Sequence, residues 1–274
     1  MTPSVLARAR DRLALRRGAL HERRLQEDFQ RKVGRPELDR WFTERHGGVV
    51  LHGPFAGLRY PPQAAPRVHH LVAKLLGSYE AEIADVVAAQ IERRPPVFVD
   101  VGAADGYYAV GIARASPSTE VHAYEIDPVA RRVLRATARE NGAEVKVHGP
   151  ANSRRLAEHR LDRAFVLSDC EGAELDVLAA EAVPALATAT LLVELHPRGG
   201  GAGGAAEEGG AAEGDTGPPL RERFAATHEA REIQPGPRDP AAHPELADAP
   251  PELREHAVEE FRFGRTSWLL LEPR

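Results

Sequence analysis

The stretch Val97-Phe98-Val99-Asp100-Val101-Gly102-Ala103-Ala104-Asp105-Gly106-Tyr107-Tyr108 holds two periodicities side by side. Val97 to Val101 is a short apolar run with β-branched residues, bounded by turn formers, and reads as a buried strand. From about Gly106 to Ala115 the spacing turns helical. The same alternation repeats downstream. Strands are expected at Val121–Glu125, Val145–His148, Ala164–Asp169 and Leu191–Leu195. Helices are expected from Asp127-Pro128 to Asn141-Gly142, from Ser153 to Arg160 and from Gly172 to Val183. Strict alternation of this kind predicts an α/β fold, a mostly parallel sheet with helices on both faces.

The flanks are less regular. Leu6 to about Lys32 reads as one long helix and Pro36 to Arg45 as a short one. Val49–Leu51 and Gly57–Tyr60 look like strands around a turn at Gly53-Pro54. Ser78 is a candidate N-cap for a helix ending at Arg93, before Pro95-Pro96. Residues 1–60 are therefore expected as an N-terminal helical extension with the start of a β-hairpin, and 61–274 as the main domain. Near the other end, Leu220–Ala230 is a helix candidate, Arg231–Ile233 a weak strand and Thr266–Leu271 a strong one. The last two are expected to pair antiparallel at one edge of the sheet. Two flexible insertions are expected: residues 199–217, with nine glycines, and residues 235–251, with six prolines.

Composition limits the function classes. The 274 residues are 42% hydrophobic and 28% charged, as in ordinary globular proteins. The net charge of −5 argues against a nucleic-acid binder, although residues 1–46 carry 12 Lys+Arg against 7 Asp+Glu. No apolar run is long enough for a membrane span, and the first residues lack the apolar core of a signal peptide. A single cysteine, Cys170, excludes an internal disulfide and a multi-cysteine zinc site, and fits a cytoplasmic location. Cys170 itself reads as a packing residue. The sequence gives no indication of oligomeric state.

In open α/β sheets ligands bind beyond the carboxyl ends of the strands. The residues there are Asp100-Val101-Gly102-Ala103-Ala104-Asp105-Gly106 after the first strand and Glu125 after the second. Gly102 and Gly106 let a ligand approach the backbone, and the next helix aims its free N–H groups at the same place. The loop is not G-x-G-x-x-G. Asp100 and Asp105 would also oppose a pyrophosphate, by about 4 kcal/mol for each contact at ~4 Å and an effective dielectric of ~20. A ligand with cationic groups and only a carboxylate as its anion avoids that cost; S-adenosylmethionine is such a ligand. Glu125 is placed to accept hydrogen bonds from ribose hydroxyls.

Val99–Tyr108 resembles motif I of class I S-adenosylmethionine-dependent methyltransferases. Asp169-Cys170-Glu171-Gly172-Ala173-Glu174 is similar to the D-x-E-G-x-E signature of the FkbM-like members, and Val193-Glu194-Leu195-His196 resembles their segment after strand five. The likeness spans about residues 95–198. It departs from the usual loop at Ala104, where a glycine is common. The resemblance implies a Rossmann-like class I methyltransferase fold with a seven-stranded sheet, and O-methylation of a small hydroxylated metabolite or sugar. It assigns donor binding to Asp100, Gly102, Ala104, Gly106 and Glu125. Gly149 and Asn152 are candidates for the adenine end, with a plain structural turn as an equal alternative.

Methyl transfer from a sulfonium needs mainly orientation, and an alcohol acceptor also needs a base or a metal. Asp169 and His196, after strands four and five, are the candidate bases. Glu171 and Glu174 are expected in the first turn of a helix, where carboxylates favour the dipole. Asp169, Glu171, Glu194 and His196 can also hold one divalent cation; the reading adopted assigns no metal. Tyr107 and Tyr108 either shield the donor or pack on the sheet. Two other readings are a non-catalytic methyltransferase fold that serves as a binding partner, and an RNA methyltransferase using the basic N-terminal segment.

Overall fold

The computed structural model describes residues 34–196, 216–260 and 267–274. Before the sheet come α1 (Arg35–His46), α2 (Leu71–Leu76) and α3 (Ala84–Arg93). Then follow β1 (Val97–Val101), α4 (Tyr107–Ala115), β2 (Glu120–Tyr124), α5 (Pro128–Glu140) and β3 (Lys146–His148). After these come α6 (Ser153–Leu156), β4 (Phe165–Ser168), α7 (Glu174–Val177) and β5 (Thr190–Glu194), then α8 (Gly217–Phe224), β6 (His228–Ile233) and β7 (Trp268–Pro273). The seven strands lie in the order β3-β2-β1-β4-β5-β7-β6. Strands β1 to β5 are parallel, and β7 runs antiparallel to both β5 and β6. This is the Rossmann-like methyltransferase fold that motif I implies.

Side-chain alternation divides the interior between the two faces of the sheet. Phe98, Leu167 and Leu192 turn to one face, where they pack with Leu38 and Phe42 of α1, Phe55, and Val110 of α4. Val99, Val166 and Val193 turn to the other and meet Leu156, Val177 and Phe224. Leu38 to Tyr60 thus share a buried cluster with β1.

Several elements depart from the sequence reading for local reasons. Ser78 does not cap a helix: its Oγ donates to Ala73 O (3.3 Å), closing α2, and Glu80 at φ 49° turns the chain before α3. The expected hairpin reduces to one bridge, Val49 with Arg59. The helices after β3 and β4 shrink to single turns, because the segment beyond each follows the core instead, with Leu161, Leu178, Val183 and Leu186 buried. The helix expected to reach Ala230 stops at Phe224, since residues 228–233 pair along all of β7; tertiary pairing overrides helix propensity there. Gly217 opens α8. Between β6 and β7, the proline-rich segment forms two 3-10 turns, Pro240–Ala242 and Pro244–Leu246, and buries Leu246 completely. The helix expected at Leu6–Lys32, residues 199–215 of the glycine-rich insertion and Thr266 lie outside the described residues.

Candidate functional site

The alternation that builds the cores also groups the acids. Asp100 shares the face of Phe98, and in the β1–β4 ladder it lies beside Leu167. Ser168 pairs with Val193, so Asp169 and Glu194 follow side by side at the ends of β4 and β5. All three reach the carboxyl edge on one face.

The loop after β1 is folded tightly against this edge. A Cβ at Gly102 (φ 91°) would stand 1.7 Å from the carbonyl oxygen of Asp169, so the approach of two backbones requires glycine here. Gly106 (φ 92°) precedes the first turn of α4, and a Cβ there would meet Leu134 at 2.8 Å. Ala104 carries a methyl group at φ 44°, in the left-handed region. Its N–H donates to Glu125 Oε2 (2.9 Å), and Asp127 N–H donates to Glu125 Oε1 (2.6 Å). Glu125 thereby ties the loop to the end of β2. Burial raises its carboxyl, and these N–H groups draw it back.

The two aspartates of the loop behave differently from the sequence expectation of two negative charges. Asp105 is ion-paired: Lys74 Nζ lies 2.5 Å from its Oδ2, and Tyr60 OH donates to its Oδ1 (2.9 Å). Lys74 also stands over the Tyr79 ring, 4.7 Å from the centroid. Asp100 is 1% exposed and its Oδ2 has no hydrogen-bond partner. Burial pushes its carboxyl up to about 8, with the charges of Glu125 and Asp105 adding to the rise. The mouth of the sheet is therefore less negative at neutral pH than the sequence suggests. Asp100, Ala104, Tyr107, Asp169 and Trp268 line a pocket of 40 Å³, room for an ammonium group or roughly three waters. Asp169 Oδ1 and Trp268 Nε1 are two further buried polar atoms with no hydrogen-bond partner.

Beside the pocket, four carboxylates surround one imidazole. His196 is 7% exposed, and its Nδ1 lies 2.9 Å from Oε1 of the fully buried Glu174. Its Nε2 faces Asp169 Oδ1, Glu171 Oε2 and Glu194 Oε2, each at 3.6 Å. Burial lowers the imidazole pKa, but the Glu174 hydrogen bond and the charges of Glu194 and Glu171 outweigh it, and the result is about 9. Glu174 shifts in the matching sense: burial opposes its charge, and His196 more than restores it. Burial raises Asp169 well above the usual carboxylate range, and Glu194 and Glu171 raise it further. The side chain of Asp169 is 30% exposed, so water moderates that rise. Asp169, Glu171 and His196, and likewise Glu80, Asp169 and Glu194, hold ligand atoms within 4.8 Å of one another. Oxygen donors with one imidazole suit Mg²⁺ or Mn²⁺.

The structure thus gathers Asp100, Gly102, Ala104, Gly106, Glu125, Asp169 and His196 at one edge. Asn152 serves as the N-cap of α6, accepting from Arg155 N–H (3.0 Å). Tyr107 and Tyr108 pack edge-on against Phe55, and Tyr108 OH donates to the buried Glu80. Cys170 is half-buried beside Ser168 Oγ (3.4 Å), its thiol raised first by burial. Glu174 was expected as a helix-dipole residue; the left-handed bend at Glu171 (φ 55°) and Gly172 turns it inward to His196 instead. Lys74, Glu80 and Trp268 carry no motif that marks them.

A larger cavity, 580 Å³, opens at the amino ends of β2 and β3, lined by Arg114, Thr119, Glu120 and Lys146. It lies at the opposite end of the strands from the motif residues. No helix among the described residues is long and apolar enough to cross a membrane.

No protein-family model matches the chain, and no curated protein matches it. Among solved structures it is similar to an O-methyltransferase from Bacillus cereus in complex with SAH, at 13% identity over 77% of this chain and 86% of that one (TM-score 0.44). It is also similar to a putative O-methyltransferase from Klebsiella pneumoniae, at 12% identity over 69% and 78% (TM-score 0.43). A third is cofactor-bound Rv0187 from MTB, at 19% identity over 74% and 93% (TM-score 0.41).

Proposed function

We propose that the chain is an S-adenosylmethionine-dependent methyltransferase of FkbM-like type that O-methylates a small hydroxylated acceptor. The observation that carries this reading is the orphaned Oδ2 of Asp100, buried at the mouth of the motif I loop, where a donor's ammonium group would satisfy it. Glu125, held by two backbone N–H groups, keeps lone pairs for ribose hydroxyls. The donor, when bound, supplies a methyl group already activated by its sulfonium.

The chain's own residues then handle the acceptor proton. Asp169 is the base: a raised carboxyl pKa brings its basicity toward that of the working pH. His196, expected from its ordinary pKa as a second candidate base, is an imidazolium at neutrality in this setting. Its role is to stabilise the oxyanion that forms as Asp169 takes the proton. Glu174 fixes the ring through Nδ1 and leaves Nε2–H facing the acceptor side.

Calorimetric titration with S-adenosylmethionine tests the donor half. Glu125→Ala should weaken binding about 10- to 100-fold, the worth of hydrogen bonds to a charged group. Tight binding of NAD in its place would overturn the reading. Mass spectrometry with isotope-labelled donor and hydroxylated metabolite pools tests the acceptor half: Asp169→Asn, whose side chain keeps the shape of the pocket lining, should still bind donor and transfer no methyl group.

A further inference from the structure

Far from the acceptor side, at the β2–β3 edge of the sheet, three histidines meet. His122 and His148 project from one face of β2 and β3, diagonal neighbours in a ladder that pairs Tyr124 with His148. His159 arrives from the chain after α6. His122 Nδ1 lies 3.0 Å from His148 Nε2, and the His122 and His159 ring centroids are 3.9 Å apart. One ring nitrogen from each lies within 4.8 Å of the others.

We infer that His122, His148 and His159 form a binding site for one divalent transition-metal ion of the zinc type. Three features support it. Tetrahedral ligands at ~2.05 Å from a metal stand about 3.3 Å apart, close to the 3.0 Å between His122 Nδ1 and His148 Nε2, with a His159 nitrogen within 4.8 Å of both. His122 Nε2 lies 3.0 Å from Glu120 Oε1, and Lys146 in turn holds Glu120. That carboxylate fixes the tautomer with Nδ1 lone pair inward, the support found behind metal-bound imidazoles. His122 is buried while His148 and His159 are only half-buried, which leaves a fourth position for water. To bind, His148 moves its ring proton from Nε2 to Nδ1, with no net proton released. The ion would pin both ends of residues 149–158, the segment that carries α6 and Asn152.

The test is titration of the metal-free full-length protein with Zn²⁺ alone, followed by calorimetry and thermal melting. One equivalent should bind and raise Tm, and Co²⁺ in its place should give the intense visible bands of a tetrahedral site. His148→Gln and His159→Gln should each weaken binding by at least about 10-fold, and Glu120→Gln, at a half-exposed position, by a similar factor. His196→Gln should leave it unchanged. Any of three results overturns the inference: no stoichiometric binding, unchanged binding in the His148→Gln/His159→Gln double variant, or loss of binding only in His196→Gln.

Discussion

Lys74 Nζ lies 2.5 Å from Asp105 Oδ2, with both side chains under 5% exposed, and this buried ion pair anchors the motif I loop to α2. Removing one partner leaves the other charge stranded in a low dielectric. Lys74→Met should cost about 3–5 kcal/mol in urea unfolding, and adding Asp105→Asn should recover part of the loss. A change below about 1 kcal/mol in the single variant would show that the pair contributes little.

Donor binding should depend on pH through Asp100. Its carboxyl is pushed up to about 8 in the free protein, so a cationic ligand must displace a proton below that pH. Affinity should rise between pH 6 and 8, with proton release detectable as a buffer-dependent binding enthalpy. Asp100→Asn should flatten the profile; a wild-type affinity constant across this range would contradict the assignment.

His196 makes the opposite contribution to stability. Its folded pKa of about 9 exceeds the unfolded value of 6.5. The stabilisation is therefore complete below pH 6.5 and lost as pH rises through 9, at ~1.4 kcal/mol for each unit of difference. Urea midpoints measured across that window should fall, and Glu174→Gln should shrink the fall. An assigned His196 imidazole resonance titrating near 6.5 in NMR would rule this out.

Ala104 pays for its left-handed φ of 44°. Ala104→Gly should stabilise the protein by about 1 kcal/mol, since glycine has no Cβ to strain there. Differential scanning calorimetry measures this directly. A lower Tm would mean that the methyl group packs more favourably than the backbone suffers.

The parallel half of the sheet was legible because β1, β4 and β5 are largely apolar, buried runs between turn formers, with the shorter, more polar β2 and β3 spaced between helical segments, and Asp100, Glu125, Asp169 and His196 stand at or just past strand ends. Lys74 was not, because its partner lies 31 residues away and a lone lysine in Leu71–Leu76 has no periodic signature. Glu174 escaped for a different reason. A helix starting at Gly172 would point it at solvent, and only the left-handed bend before α7 swings it onto His196. The length of β6 was equally hidden, since Glu229 to Glu232 are mostly polar and exposed and become a strand only by pairing with β7.

The acids at the rim take their direction from the same two-residue phase as Phe98, Leu167 and Leu192 below them. A slip of one residue in β1, β4 or β5 would invert core and rim together. Chemistry and folding therefore share one error check: a chain that has mispaired these strands cannot assemble the site, and one that has assembled it has already paired them correctly.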